Sequence, residues 1–432
     1  MKNNKNDGPA VNLNLKVRGL PLSATLKINE ESKRILQTGR KVYKLGLGQS
    51  PFPVPDLVVG ELRKNAFQKD YLPVKGLDRL RDSVASYHAR MDGVEATAED
   101  VLIGPGSKEL MFILQLVYYG DLVIPNPSWV SYAPQATIIG RKICWIPTYE
   151  QDRWQVCSEE IEKLCREDAE RPRIFILNYP NNPSGGTYCL DELKAIARVA
   201  RKYRIILLSD EIYGELHHKG EHVSIAKYYP EGTIISSGLS KWCGAGGWRL
   251  GTFTFPSSLR WLQEGMASVA SETYTATSAP IQYAAVSAFQ EEPALQQYLV
   301  YCRKVLRALG RSLCEKLTGA GVSVHEPEGA FYLFPNFTPL AERLHRRGIT
   351  TGAEFCTKLL QDTGVAILPG HVFGRPEEEF TARLAYVDFN GADVLKAVTA
   401  LPDGRELNAD FLRQTCGRVM TAVDLICDWI KD

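Results

Sequence analysis

Short β-branched and aliphatic runs alternate with longer amphipathic stretches through the middle of the chain, roughly residues 53–290. The runs fall at 101–103, 121–124, 142–146, 173–177, 205–208, 233–235 and 252–255, and each predicts a strand. Between them lie stretches such as 191–203, where Leu193, Ile196, Ala197 and Ala200 recur at helical spacing. Strand alternating with helix predicts an α/β fold around a parallel sheet covered on both faces. Ligands of such sheets sit beyond the carboxyl ends of the strands. The part after about Val305 predicts mixed helix and strand. It closes on Phe411, Leu412, Cys416, Val419, Val423, Ile426 and Ile430, spaced three to four apart, which predicts a core-facing helix. Residues 1 to about 20 predict a flexible polar arm.

Composition narrows the class. Lys plus Arg number 51 and Asp plus Glu 50, so a basic nucleic-acid or membrane-surface protein is not expected. An anionic ligand must then be held by a local cluster. The 10 cysteines are scattered with no C-x-x-C pair, which predicts reduced thiols in the cytoplasm. His217 and His218 stand side by side before Gly220, where a solvated loop is expected over a metal site. The opening MKNNKNDG lacks the apolar core of a signal peptide, and the apolar stretch 111–124 is too interrupted to span a bilayer.

The loops after the runs carry the chemistry. Gly104-Pro105-Gly106-Ser107-Lys108 follows the first run and precedes the helical stretch 109–116, whose first N–H groups suit a phosphate. Pro125 to Trp129 follows the second, and Asn178 to Gly185 the fourth. Ser209-Asp210-Glu211-Ile212-Tyr213 follows the fifth, and Ser236 to Lys241, then Arg249, the sixth. Together they suit one aromatic phosphate cofactor. A desolvated lysine near other cations, such as Lys241, can form an imine. Arg249 can fork a phosphate. Asp210 can keep a ring nitrogen protonated. Asn182 and Tyr213 can hydrogen-bond a phenolic oxygen, and Trp129 can stack on the ring. Taken singly, each has a plainer reading. Asp210 suits a helix cap, Tyr213 and Trp129 suit packing, Ser240 and the stretch 181–183 suit turns. Arg383 suits a strand charge paired with an acid such as Glu379, and Tyr71 ordinary packing.

The chain resembles the aspartate-aminotransferase superfamily of pyridoxal-phosphate enzymes, the fold type I aminotransferases of classes I and II. The resemblance rests on NYPNNPSGG (178–186), SDEIYGEL (209–216) and SGLSKWCGAGGWRLG (237–251). Weaker support comes from KLGLGQSPFPVP (44–55), DYLPVKGLDRLR (70–81), PNPSWVSY (125–132), EPEGAFYLF (326–334) and TARLAYVD (381–388). It implies a three-layer fold with a mostly parallel seven-stranded sheet and a smaller α+β domain. The implied division is an arm with part of the small domain over 1–52, a large cofactor-binding domain over 53–304, and the small domain over 305–432.

The implied cofactor is pyridoxal 5'-phosphate, with amino acid and 2-oxo acid substrates and no metal. Lys241 resembles the imine lysine and proton-transfer base, Asp210 the ring-nitrogen partner, and Tyr213 and Asn182 the phenolic-oxygen partners. Trp129 resembles the stacking residue. Arg249, Ser107, the Gly106 and Lys108 amides, and Ser240 or Ser237 resemble the phosphate cup. Arg383 resembles the fork for the substrate α-carboxylate, with the Gly48 N–H beside it. Tyr71 resembles the tyrosine that reaches the neighbouring subunit's phosphate, which implies a homodimer with shared sites.

The chain departs from the family in places. Gln49-Ser50 replaces Glu-Pro, Ser184 replaces Thr, and Gly238 stands where some members bind phosphate through Ser. Aspartate-specific members carry Lys at the position of Ser107, whereas the lysine here is Lys108; Thr25 does match that distal site. Dicarboxylate specificity is therefore half present. Lyases of the same fold share most of these motifs. Regulators built on this fold carry an N-terminal DNA-binding domain, for which the short arm leaves no room.

Overall fold

The computed structural model describes residues 12–20, 24–402 and 404–431, with some side chains of the first helix, Ala24–Gln37, left out. All seven runs form strands of one sheet: β1 (Val101–Gly104), β2 (Asp121–Asn126), β3 (Ile143–Pro147), β4 (Arg173–Asn178), β5 (Ile206–Asp210), β6 (Thr233–Gly238) and β7 (Gly251–Thr254). Their order is β1-β7-β6-β5-β4-β2-β3. The pairs among β6, β5, β4, β2 and β3 are parallel, and only β7 runs against its neighbours β1 and β6.

Alternation along each strand builds the layers. Ile174 and Ile176 of β4 and Leu208 of β5 face a core shared with helices Ser107–Val117 and Arg260–Thr273. Phe175, Leu177 and Leu207 face the opposite core, under helices Ser158–Glu167 and Leu190–Lys202. With both faces covered, the strand residues are buried throughout, so their runs are apolar rather than alternating. Among the described residues, no helix is long and apolar enough to cross a membrane, and all ten cysteines are unpaired.

Helix Pro293–Gly319 spans 27 residues and leads into the remaining chain. There, strands Tyr332–Leu333, Leu368–Pro369 and Ala382–Ala385 form a small antiparallel sheet. Tyr43–Lys44 pairs in parallel with Val365–Ala366, which ties the early chain to this part.

Two expectations are corrected, and a third lies partly outside the described residues. The C-terminal stripe is two helices, Ala409–Thr415 and Gly417–Trp429, broken at Cys416 where Gly417 interrupts a good helix former's run. Its apolar positions still face inward, with Leu412, Cys416, Val419, Val423, Ile426 and Ile430 buried. His217 and His218 are buried, not solvated. They pack under residues 326–330, where both ring nitrogens of His218 meet the carbonyls of Pro327 and Ala330. Burial holds each imidazole down at about 4, and no metal-type cluster exists among the described residues. The predicted arm falls partly outside the described residues; within it, Lys16 donates to the Ile139 carbonyl at 2.8 Å.

The sheet's carboxyl edge is closed by backbone packed on backbone. Gly104, Gly251 and Gly238 stand in register across β1, β7 and β6. A Cβ on Gly251 would lie 2.2 Å from the Ser107 nitrogen. Gly251→Ala is therefore expected to lower the thermal midpoint. Gly319→Ala, at an exposed helix end with nothing within 4 Å, is expected to change stability by no more than about 0.5 kcal/mol. Calorimetry on both variants checks the contrast.

Candidate active site

Because β1, β2, β4, β5 and β6 point the same way, their carboxyl ends open onto one cavity of about 410 Å³. Ser107, Lys108, Trp129, Asn182, Asp210, Tyr213, Ser240, Lys241 and Arg249 line it, with Tyr132, Asn178 and Ile212. Nine residues singled out in the sequence are thus brought together from six separate segments.

One end is cationic. The helix over Ser107–Val117 begins two residues earlier than predicted, so Ser107 is its first residue and Gly106 its cap. The first N–H groups of a helix have no partner within it and carry partial positive charge. Gly106 has φ +96°, and a Cβ there would lie 2.1 Å from Arg249 Nη2, so the guanidinium crosses where a side chain would be. Arg249 is held by the carbonyls of Gly246 at 2.9 Å and Pro105 at 3.3 Å. Lys108 Nζ lies 5.0 Å from the Trp129 ring centre. Partial burial, then the Arg249 charge, lower its ammonium.

The other end carries Asp210, only 4 % exposed. In register it stands between Asn178 of β4 and Ser236 of β6. Its carboxylate accepts from Tyr132 Oη at 2.5 Å and Ser236 Oγ at 3.4 Å, and Asn178 Nδ2 donates to its carbonyl at 2.7 Å. Asp210 caps no helix. Burial raises its carboxyl to about 6 against the opposing pull of the Tyr132 hydroxyl, the Ile212 N–H, the Ser236 hydroxyl and Lys241. Tyr132 also meets Trp129 edge to face at 5.2 Å.

Lys241 lines the same cavity, within electrostatic reach of Asp210, Arg249 and Lys108. Its Nζ donates to the Gly48 carbonyl at 2.7 Å and lies 5.6 Å from the Tyr213 ring centre. The Gly48 carbonyl thereby stands against the amine. Burial first, then the Arg383 charge, lower the amine to about 7; Asp210 opposes, and Arg249 and Lys108 add to the lowering.

Arg383 is 2 % exposed. It donates to Asn182 Oδ1 at 2.9 Å and the Gly46 carbonyl at 2.6 Å, while its Nε has no hydrogen-bond partner among the described residues. The rings of Tyr332 and Phe373 flank it at 4.8 and 5.0 Å. Glu379, its expected partner as an ordinary strand charge, instead grips Arg375 through two oxygens, at 2.8 and 2.6 Å. Arg383 thus stands buried with no carboxylate in salt-bridge reach among the described residues. A buried cation without an anion is costly, and a carboxylate ligand relieves that cost.

Tyr71 is 91 % exposed and does not line this chain's cavity. Ser237 is buried behind the lining, so Ser240 is the serine that reaches it. The Thr25 side chain lies outside the described residues. Sequence reasoning missed Tyr132, Asn178 and Tyr332. All three lie inside quoted motifs, yet an aromatic with a working hydroxyl cannot be told from a packing aromatic by pattern alone.

A profile of the family described as aminotransferase class I and II matches residues 40–401. Aspartate aminotransferase of Geobacillus stearothermophilus is 32 % identical over 383 residues, 86 % of this chain and 93 % of the relative. The asparagine–oxo-acid transaminase of Streptococcus mutans is 30 % identical, covering 87 % and 94 %. The solved structure of aspartate aminotransferase from Thermus thermophilus with maleate superposes with a TM-score of 0.80 at 28 % identity, covering 90 % of this chain and 99 % of that one. The chain belongs to the class I and II aminotransferases, a pyridoxal-phosphate-dependent family, and is an aminotransferase.

Proposed function

We propose that the chain moves an α-amino group between an L-amino acid and a 2-oxo acid, with pyridoxal 5'-phosphate held between Asp210, Lys241 and the Arg249 end of the cavity. The observation that carries this is an amine brought down to about 7 that shares one cavity with a buried carboxylate and a helix start beside Arg249 and Lys108. That polarity fits a planar ring with a basic nitrogen on one side and a phosphate on the other. Ser107, Ser240, Arg249 and the Gly106 and Lys108 amides would hold the phosphate, Trp129 would cover the ring, and Asn182 and Tyr213 would bind its phenolic oxygen. When bound, the cofactor supplies an amine-accepting carbon and a ring that withdraws electrons.

The chain's own residues supply the rest. Asp210, anionic above about pH 6, holds a proton on the ring nitrogen. Lys241, half uncharged near neutrality, would hold the cofactor through its amine and would serve as the base for the proton at the substrate Cα. Arg383 binds the α-carboxylate and so fixes which Cα bond faces Lys241. We also propose that residues 53–304 form the cofactor-holding unit and that the flanking parts bring Gly48 and Arg383. Tyr71, exposed in the single chain, would reach the phosphate of a second copy, making a homodimer the working unit. Unpaired cysteines suit the reducing cytoplasm.

The test mixes the loaded protein with single amino acids and follows the cofactor's visible band as it converts to the aminated form. Relatives named for aspartate and asparagine make these the first donors to try. Conversion by no amino acid overturns the proposal. Lys241→Ala is expected to abolish the visible imine absorbance and cut turnover by at least about 10²-fold. Arg383→Ala is expected to keep the cofactor and raise KM for amino acids about 10–100-fold. Loss of cofactor in that variant contradicts the role.

The lowered amine also sets a pH dependence. A neutral amine attacks an aldehyde, so the rate at which apo-protein takes up pyridoxal phosphate should rise through about pH 7 and level off above pH 8. Arg383→Ala removes a nearby cation, so its midpoint should move up. A wild-type rate still climbing past pH 9 contradicts the lowered amine.

A further inference from the structure

We infer that Tyr332 is a positioning residue that couples the cofactor's phenolic-oxygen partner to the carboxylate receptor. Resting on the cofactor placement proposed above, it adds a residue to which that placement gave no role.

Tyr332 is 1 % exposed and opens the short strand Tyr332–Leu333, whose neighbour Ala382–Ala385 carries Arg383. Its hydroxyl lies 2.7 Å from that of Tyr213. Its ring lies 4.8 Å from the Arg383 guanidinium carbon. A Cβ on Gly48 would fall 1.9 Å from its hydroxyl, so only glycine leaves room for this side chain. One aromatic thus touches Tyr213, Arg383 and Gly48, and Gly48 in turn receives Lys241.

The proton arrangement follows from donor counting. A tyrosine hydroxyl has one hydrogen. When the Tyr213 hydrogen goes to a ligand oxygen, the 2.7 Å contact can persist only if Tyr332 donates. Tyr332 then polarises Tyr213 and makes it a stronger donor, as linked hydrogen bonds do. A stronger donor at the phenolic oxygen makes that oxygen a poorer base toward the proton it shares with the Lys241 nitrogen. The ring of Tyr332 serves separately, as a face against Arg383.

These two duties come apart by mutation. Tyr332→Phe keeps the ring and loses only the donor. It is expected to raise the pH midpoint of the bound cofactor's visible band by about 0.3–1 unit, the worth of one neutral hydrogen bond. Its KM for amino acids should stay within about twofold. Tyr332→Leu removes both features and should add a rise in KM of about 2–30-fold, the worth of a cation–ring contact. Tyr213→Phe serves as the reference and should move the band further than Tyr332→Phe. A Tyr332→Phe midpoint at the wild-type value, with Tyr213→Phe shifted, overturns the role of Tyr332 alone. No shift in either phenylalanine variant overturns the cofactor placement and this role together.

Discussion

An amine lowered to about 7 by burial and neighbouring cations is the constraint on which the rest of the site depends. Lys241 reaches that state through burial and the charge of Arg383, with Arg249 and Lys108 adding to it and Asp210 opposing. The balance is delicate by construction. In the proposed placement Asp210 must be close enough to serve a ring nitrogen, yet not so dominant that it holds the lysine as ammonium. Its own burial, which raises it to about 6, softens that pull. Arg383 has the mirror problem of a buried guanidinium with no carboxylate in salt-bridge reach among the described residues. Its unmet charge both lowers Lys241 and awaits an anion, so carboxylate binding and lysine reactivity are linked through one side chain.

The fold makes this balance possible by fixing positions rather than by supplying special residues. Asn178, Asp210 and Ser236 stand in register on three adjacent strands, so the Asp210 carboxylate is set by ladder hydrogen bonds. The glycines at the tips of β1, β7 and β6 let backbones meet directly and place the Ser107 helix start against Arg249. Strand positions are stiff because both faces of the sheet are packed. Arg383, by contrast, comes from the small antiparallel sheet, and Tyr332 beside it is the contact through which the two parts meet at Tyr213.

Most of this was legible from the residues. Seven short apolar runs gave seven strands, and the polar loops after them gave nine of the cavity's lining residues. The family resemblance supplied the roles. What pattern could not supply was partnership. Glu379 pairs with Arg375, four residues away, instead of Arg383, and nothing in the spacing prefers one over the other. His217 and His218 are polar letters in a polar stretch, yet a distant segment, 326–330, covers them. Tyr132 and Tyr332 were quoted as parts of motifs, but their hydroxyl contacts to Asp210 and Tyr213 arise only in three dimensions. The break at Gly417 shows the limit of periodicity, since the apolar stripe continues across a helix boundary.

Borohydride reduction of the cofactor-loaded protein, followed by peptide mass mapping, bears on the central claim most directly. Reduction freezes the bond between the cofactor and whichever amine carries it. The account predicts one pyridoxyl-phosphate mass addition, on the peptide containing Lys241. A label on Lys108, a label spread over surface lysines, or no label at all would contradict it.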